Sequence, residues 1–83
     1  MAIVRLYATL RKTAGGEREY TLDAKTVRDI LEDGKRRFGA EFQQQIQNCT
    51  VLVNGKNCTL LRGKKTKVSE ADIVAIFPPM AGG

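Results

Sequence analysis

The chain has no histidine, and its absence removes the usual general base at neutral pH, the usual zinc ligand and any Ser-His or Cys-His nucleophile pair. Self-contained acid–base catalysis and a metal site are therefore not expected. Cysteine is scarce: Cys49 and Cys58 are separated by eight residues, too many for a CxxC redox pair, and with no secretion signal they read as two reduced thiols. Without that signal the sequons Asn48-Cys49-Thr50 and Asn57-Cys58-Thr59 carry no glycosylation meaning either. No apolar run approaches the length of a membrane span, and the start Met1-Ala2-Ile3-Val4-Arg5 meets a charge before a signal-peptide core can form, so the expected compartment is the cytoplasm, with no membrane partner. Aromatic residues make up 6% of the chain, and none is interleaved with the basic clusters Arg11-Lys12, Lys35-Arg36-Arg37 and Lys64-Lys65-Thr66-Lys67. The net charge of +5 suits an anionic partner, RNA or an acidic protein surface. Without base-stacking aromatics or a nucleic-acid motif, however, these clusters read as solvated faces and nucleic acid is not the expected partner.

What is present is enough for one small domain. With 83 residues, 42% hydrophobic and 28% charged, the chain is ordinary for a globular unit that buries about 60% of its unfolded surface and has no room for a deep private active-site cleft. Ile3 to Ala8 reads as a central strand, with Val4, Leu6 and Ala8 on one face and Ile3 and Tyr7 on the other. Leu10 to Gly16 reads as a turn and Glu17 to Leu22 as the antiparallel return strand. Thr26 with Asp29 three residues on forms a capping-box pattern. Val27, Ile30, Leu31, Gly34 and Phe38 then recur at helical spacing until Gly39 stops the helix. Gly34 falls on the apolar stripe, where it permits close approach of another element at a helix-propensity cost of about 1 kcal/mol. Phe42 and Ile46, one turn apart, fit a short second helix over 40–47, or a loop. Thr50 to Val53 runs into Asn54-Gly55, the strongest hairpin signal in the chain. The partner strand begins near Lys56, with Cys58 facing Val51 and Cys49 facing Leu60. Arg62 to Lys67 is a basic connection, and Ile73 to Phe77 is an apolar strand expected to be buried on both faces at mid-sheet. The order predicts an α+β fold: a mixed sheet with one main helix across one face.

The last strand passes without a linker into Phe77-Pro78-Pro79-Met80-Ala81-Gly82-Gly83. Neither proline offers an N–H to a sheet, so the strand must stop at Phe77. Pro79 holds Pro78 out of helical geometry, and the segment is expected to project into solvent as an extended spur. Gly82 and Gly83 lack a Cβ and suit a channel too narrow for other side chains. A glycine pair alone is also what a frayed end looks like. The direct junction of apolar strand, Pro-Pro and Gly-Gly favours a presented end with a free carboxylate, so the expected organisation is a body over residues 1–77 and a tail over 78–83.

That ending, with the opening Val4-Arg5-Leu6-Tyr7-Ala8-Thr9-Leu10-Arg11, the Thr26 helix, Val53-Asn54-Gly55 and Asp72 before the last strand, resembles the small subunit of molybdopterin synthase, the MoaD-type ubiquitin-like sulfur carriers of the MoaD/ThiS family. The resemblance implies a β-grasp fold and a non-catalytic carrier role. Gly83 would be the acyl-adenylate and thiocarboxylate site, and Phe77, Pro78, Pro79, Met80, Ala81 and Gly82 would be held by partners. Those partners are an E1-like adenylating enzyme that uses ATP, a persulfide sulfur donor and the large synthase subunit. The chain itself binds no cofactor and no metal on this reading. Related small proteins serve tRNA thiolation or thiamine synthesis, or are joined to lysines as modifiers. A basic RNA-binding module with an inert tail is the remote alternative.

Overall fold

The computed structural model describes residues 1–79. Five strands, β1 (Ala2–Leu6), β2 (Glu19–Leu22), β3 (Thr50–Val53), β4 (Lys56–Asn57) and β5 (Ile73–Phe77), form one sheet in the order β2-β1-β5-β3-β4. β1 and β5 are parallel, and the other neighbours are antiparallel. The last strand is thus inserted between the first and the third, which is the β-grasp arrangement. The helices are α1 (Leu10–Thr13), α2 (Val27–Phe38) and α3 (Ala40–Gln45), and 3₁₀ turns span Cys58–Leu60 and Gly63–Lys65.

α2 starts where its capping box sits: Thr26 Oγ1 accepts from the Asp29 N–H at 3.2 Å, and Asp29 Oδ2 accepts from the Thr26 N–H at 3.1 Å. These bonds, with a further one from the Lys25 N–H, hold the Asp29 carboxyl below its ordinary pKa; the Lys25 bond is the largest cause. Val27, Ile30, Leu31 and Gly34 are buried on the sheet side. Gly34 makes the close approach expected of it, because a Cβ there would sit 2.6 Å from Phe42 Cε1 of α3. α3 forms where the loop or helix alternative stood, burying Phe42 and Ile46 at 1% and 4% exposure.

Four local expectations are corrected. β1 stops at Leu6, because Ala8 takes a left-handed φ of 54° and is exposed. Leu10 to Thr13 is a short helix rather than a turn, drawn inward by the fully buried Leu10 and by Ala14 one turn on. β4 ends at Asn57, whose side-chain oxygen accepts from the Thr59 N–H at 3.0 Å and turns the chain into 3₁₀ geometry. The expected Cys49–Leu60 facing pair therefore does not form: Cys58 packs into the core, and Leu60 is exposed. Finally, β5 is central but buried on one face only. Val74 and Ile76 are inaccessible, whereas Ile73, Ala75 and Phe77 are half-covered, since α2 and α3 cover a single face of the sheet.

Candidate functional site

Because β1 and β5 run parallel and end at the same edge, Tyr7 comes beside Phe77. Their rings stack nearly flat, with centroids 4.5 Å apart and planes 12° off parallel. Arg11, carried by α1, closes over the stack with its guanidinium carbon 5.4 Å from the Tyr7 centroid, while its Nε donates to the Leu6 carbonyl at 2.9 Å. From the other side Thr50 of β3 pairs with Phe77. The aromatic pair contributes about 0.5–1.5 kcal/mol and the cation–π contact about 0.5–1 kcal/mol. They act at Phe77, where the chain leaves the sheet.

Pro78 is buried and Pro79 exposed, so exposure begins one residue later than the sequence implied, because Phe77 lies mid-sheet and the next residue is still over the body. Met80, Ala81, Gly82 and Gly83 lie outside the described residues.

The sheet face away from the helices is continuous with this root. Ile3, Tyr7, Leu52, Ile73, Ala75 and Phe77 are all half-buried on it, crossed by an Arg5–Glu19 ion pair at 2.8 Å. A cavity of about 470 Å³, lined by Leu61, Arg62, Thr66 and Lys67, is at the other end of the molecule. Lys67 bridges to Thr26, just after the end of β2 that pairs with Ala2, so this cavity is remote from the tail.

Burial pushes the thiols of Cys49 and Cys58 above their ordinary pKa. Both are free and held protonated at neutral pH, which makes them poor nucleophiles. Asp72 clips the hairpin turn to β5. The Asn54 amide donates to it at 3.0 Å and the Ser69 N–H at 2.7 Å, lowering its pKa, and Asn54 Oδ1 in turn accepts from the Ile73 N–H at 2.9 Å. Among the described residues no group of three His, Cys, Asp or Glu is placed to hold a metal ion, and no helix is long and apolar enough to cross a membrane.

Of the expected tail residues, then, the structure positions Phe77, Pro78 and Pro79. It adds Tyr7 and Arg11, to which the sequence assigned no role. Arg11 is half-buried rather than part of a solvated cluster. The available signal was an aromatic at the end of β1 on the face opposite Val4 and Leu6, but the parallel β1–β5 pairing that gives it meaning is tertiary.

The chain matches the ThiS family over residues 4–83. It is 31% identical, over 88 aligned positions covering 96% of each chain, to small archaeal modifier protein 3 of Haloferax volcanii. It is also similar to a chain of the Amycolatopsis orientalis BexX/CysO complex, with TM-score 0.83, 25% identity and 100% of both chains covered. A further likeness is to a putative molybdopterin converting factor subunit 1 from Pyrococcus furiosus, with TM-score 0.71, 27% identity and coverage of 95% of this chain and 97% of that one. A β-grasp body matched along nearly its whole length, with the final strand delivering a Pro-Pro and Gly-Gly segment from a fixed aromatic root, places the protein: the chain belongs to the ThiS family of ubiquitin-like sulfur carriers and modifiers.

Proposed function

We propose that the protein is a sulfur carrier of molybdopterin biosynthesis, acting in the cytoplasm and loaded at Gly83 by partners. A carboxylate is unreactive until one oxygen becomes part of a leaving group. An E1-like enzyme would supply this by letting the Gly83 carboxylate attack the α-phosphorus of ATP, releasing pyrophosphate and leaving an acyl-adenylate. The terminal sulfur of a persulfide donor then attacks the carbonyl carbon, AMP departs, and a thiol cleaves the acyl disulfide to leave a thiocarboxylate. The large synthase subunit would accept that sulfur onto a pterin precursor. ATP and any metal ion sit on the partners, and this chain contributes the presented end. Phe77, Pro78 and Pro79 set its direction, and Met80, Ala81 and Gly82 occupy the partner's channel.

The observation that carries this reading is the Tyr7–Phe77 stack directly before the proline pair. Six residues follow that root, and fully extended they reach at most about 20 Å from it. Support for the pterin acceptor comes from the likeness to the putative molybdopterin converting factor subunit and from the Pro-Pro-x-x-Gly-Gly ending. A second reading, attachment of Gly83 to lysines of other proteins, is favoured by the 31% identity to a small archaeal modifier protein. The tRNA and thiamine acceptors would share the loading step.

The test is incubation with the activating enzyme, ATP and a persulfide donor, followed by intact-protein mass spectrometry. One oxygen replaced by sulfur at the terminus is expected. Deleting Gly83 retracts the carboxylate by about 3.3–3.6 Å, too far for in-line attack, and should abolish loading while leaving the fold intact. An unchanged wild-type mass beside an enzyme active on another carrier overturns the reading. Conjugation to lysines, in place of transfer to the pterin, would establish the modifier role.

A further inference from the structure

On the helix side of the molecule, away from the open sheet face, α2 and α3 meet the 3₁₀ turn Gly63–Lys65 around a cavity of about 130 Å³. Its apolar lining comes from Leu31 and Ile46, themselves 5% and 4% exposed. Three cations border it: Arg28 and Lys35, two turns apart on α2, and Lys64, brought in by the turn. The side-chain amides of Gln43 and Gln47 complete the border with hydrogen-bond donors. Glu32 is the single carboxylate there, and it is engaged by Lys35 at 3.3 Å. Among the described residues Arg28 and Lys64 make no ion pair. The lining therefore carries a net charge of +2, three cations against one carboxylate.

Gathering like charges from separate elements around one hollow opposes folding unless something neutralises them. Nothing in the helix packing asks for these residue types, since Leu31, Ile46 and the Gly34–Phe42 contact already join α2 to α3. The volume corresponds to about four water molecules at about 30 Å³ each, which is room for a compact tetrahedral oxyanion but not for a nucleotide. Planar guanidinium, ammonium and amide donors around a hollow are the groups that recognise phosphate oxygens.

We propose that this pocket binds a phosphate-class dianion, either the free ion or a phosphate group on a larger molecule. Arg28 and Lys64 make the principal contacts, Gln43 and Gln47 donate, and Lys35 is shared with Glu32. The ligand would tie α2, α3 and the Gly63–Lys65 turn together. This site is independent of the sulfur chemistry at Gly83.

The test titrates the whole protein at pH 8 with inorganic phosphate, and separately with a short phosphoserine peptide. Ionic strength is held constant with sodium chloride; binding is read by calorimetry and the melting temperature by scanning fluorimetry. A rise in melting temperature beyond the chloride control is expected. Arg28→Gln and Lys64→Gln, which alter exposed side chains, should each weaken binding about tenfold or more. Lys64→Arg should restore it, and Arg36→Gln, on the same helix but outside the pocket, should leave it unchanged. Tighter binding of the peptide than of the ion assigns the dianion to a larger molecule, and the reverse assigns it to the free ion. Equal binding by wild type, Arg28→Gln and Lys64→Gln, or no effect beyond chloride, overturns the proposal.

Discussion

The two faces of the sheet are built from the same strands and differ in nearly everything else. On the helix side Ala2, Val4, Leu6, Val51, Val74 and Ile76 are at most 3% exposed. On the other side their alternating neighbours Ile3, Arg5, Tyr7, Ile73, Ala75 and Phe77 remain half-covered. A strand alternates its side chains, so each residue added to the core places its neighbour on the open face. The covered face supplies stability, whereas the open face holds the aromatic root of the tail and stays accessible to a partner. Mutations should separate the two accordingly.

The largest stability loss belongs to the covered side. Phe42→Ala empties the space under α2 and should cost about 3–5 kcal/mol, seen as a lower urea midpoint; a loss like that of a surface change would break the distinction. Tyr20 of β2 sharpens it through pH. Its hydroxyl is buried without a partner among the described residues, and burial first, then Asp33, pushes its pKa up to about 12, above the unfolded value of about 10. The folded state therefore keeps its proton where the unfolded chain loses it. The stabilisation is complete below pH about 10 and is lost as pH rises through about 12. Tyr20→Phe should flatten that alkaline decline in a series of denaturation curves and leave neutral-pH stability unchanged or higher. Gly34→Ala gains about 1 kcal/mol of helix propensity but drives a Cβ into the Phe42 ring at a cost of about 1–3 kcal/mol, for a net loss of up to about 2 kcal/mol. Relief of that loss in the Gly34→Ala/Phe42→Leu double variant checks the cause.

The open face should behave in the opposite way. Tyr7→Ala removes one half of a stack and the ring under Arg11 and should cost about 1–2.5 kcal/mol in denaturation, less than Phe42→Ala, yet lower the rate of loading at Gly83 because the tail loses its root. Loading at the wild-type rate by a folded Tyr7→Ala protein would show that the root is structural only. The smallest effect is at the far end of β5. Asp72 has a lowered pKa, so its contribution is present above about pH 4 and is lost as pH falls through the folded value. Asp72→Asn should make the acid limb of the stability curve slightly shallower and leave loading unchanged.

What the amino-acid sequence determined by itself was everything written in short-range chemistry. The Thr26–Asp29 cap, the helical stripe from Val27 to Phe38, the Asn54-Gly55 turn, the stop at Phe77 and the ending whose residues led to the family all depend on neighbours a few positions away. Capping, periodicity and proline geometry act over that distance. Tertiary structure alone decided the rest. It made a helix of Leu10 to Thr13, because burial of Leu10 outweighed the turn chemistry. It took Cys58 out of the ladder and left one face of β5 half-covered. By inserting β5 beside β1 it brought Phe77 onto Tyr7 across seventy positions of chain, and by folding the Gly63–Lys65 turn against α2 it set Lys64 and Arg28 around one cavity. Contacts of that kind depend on which surfaces fit when the whole chain closes, and no local pattern of residues carries that information.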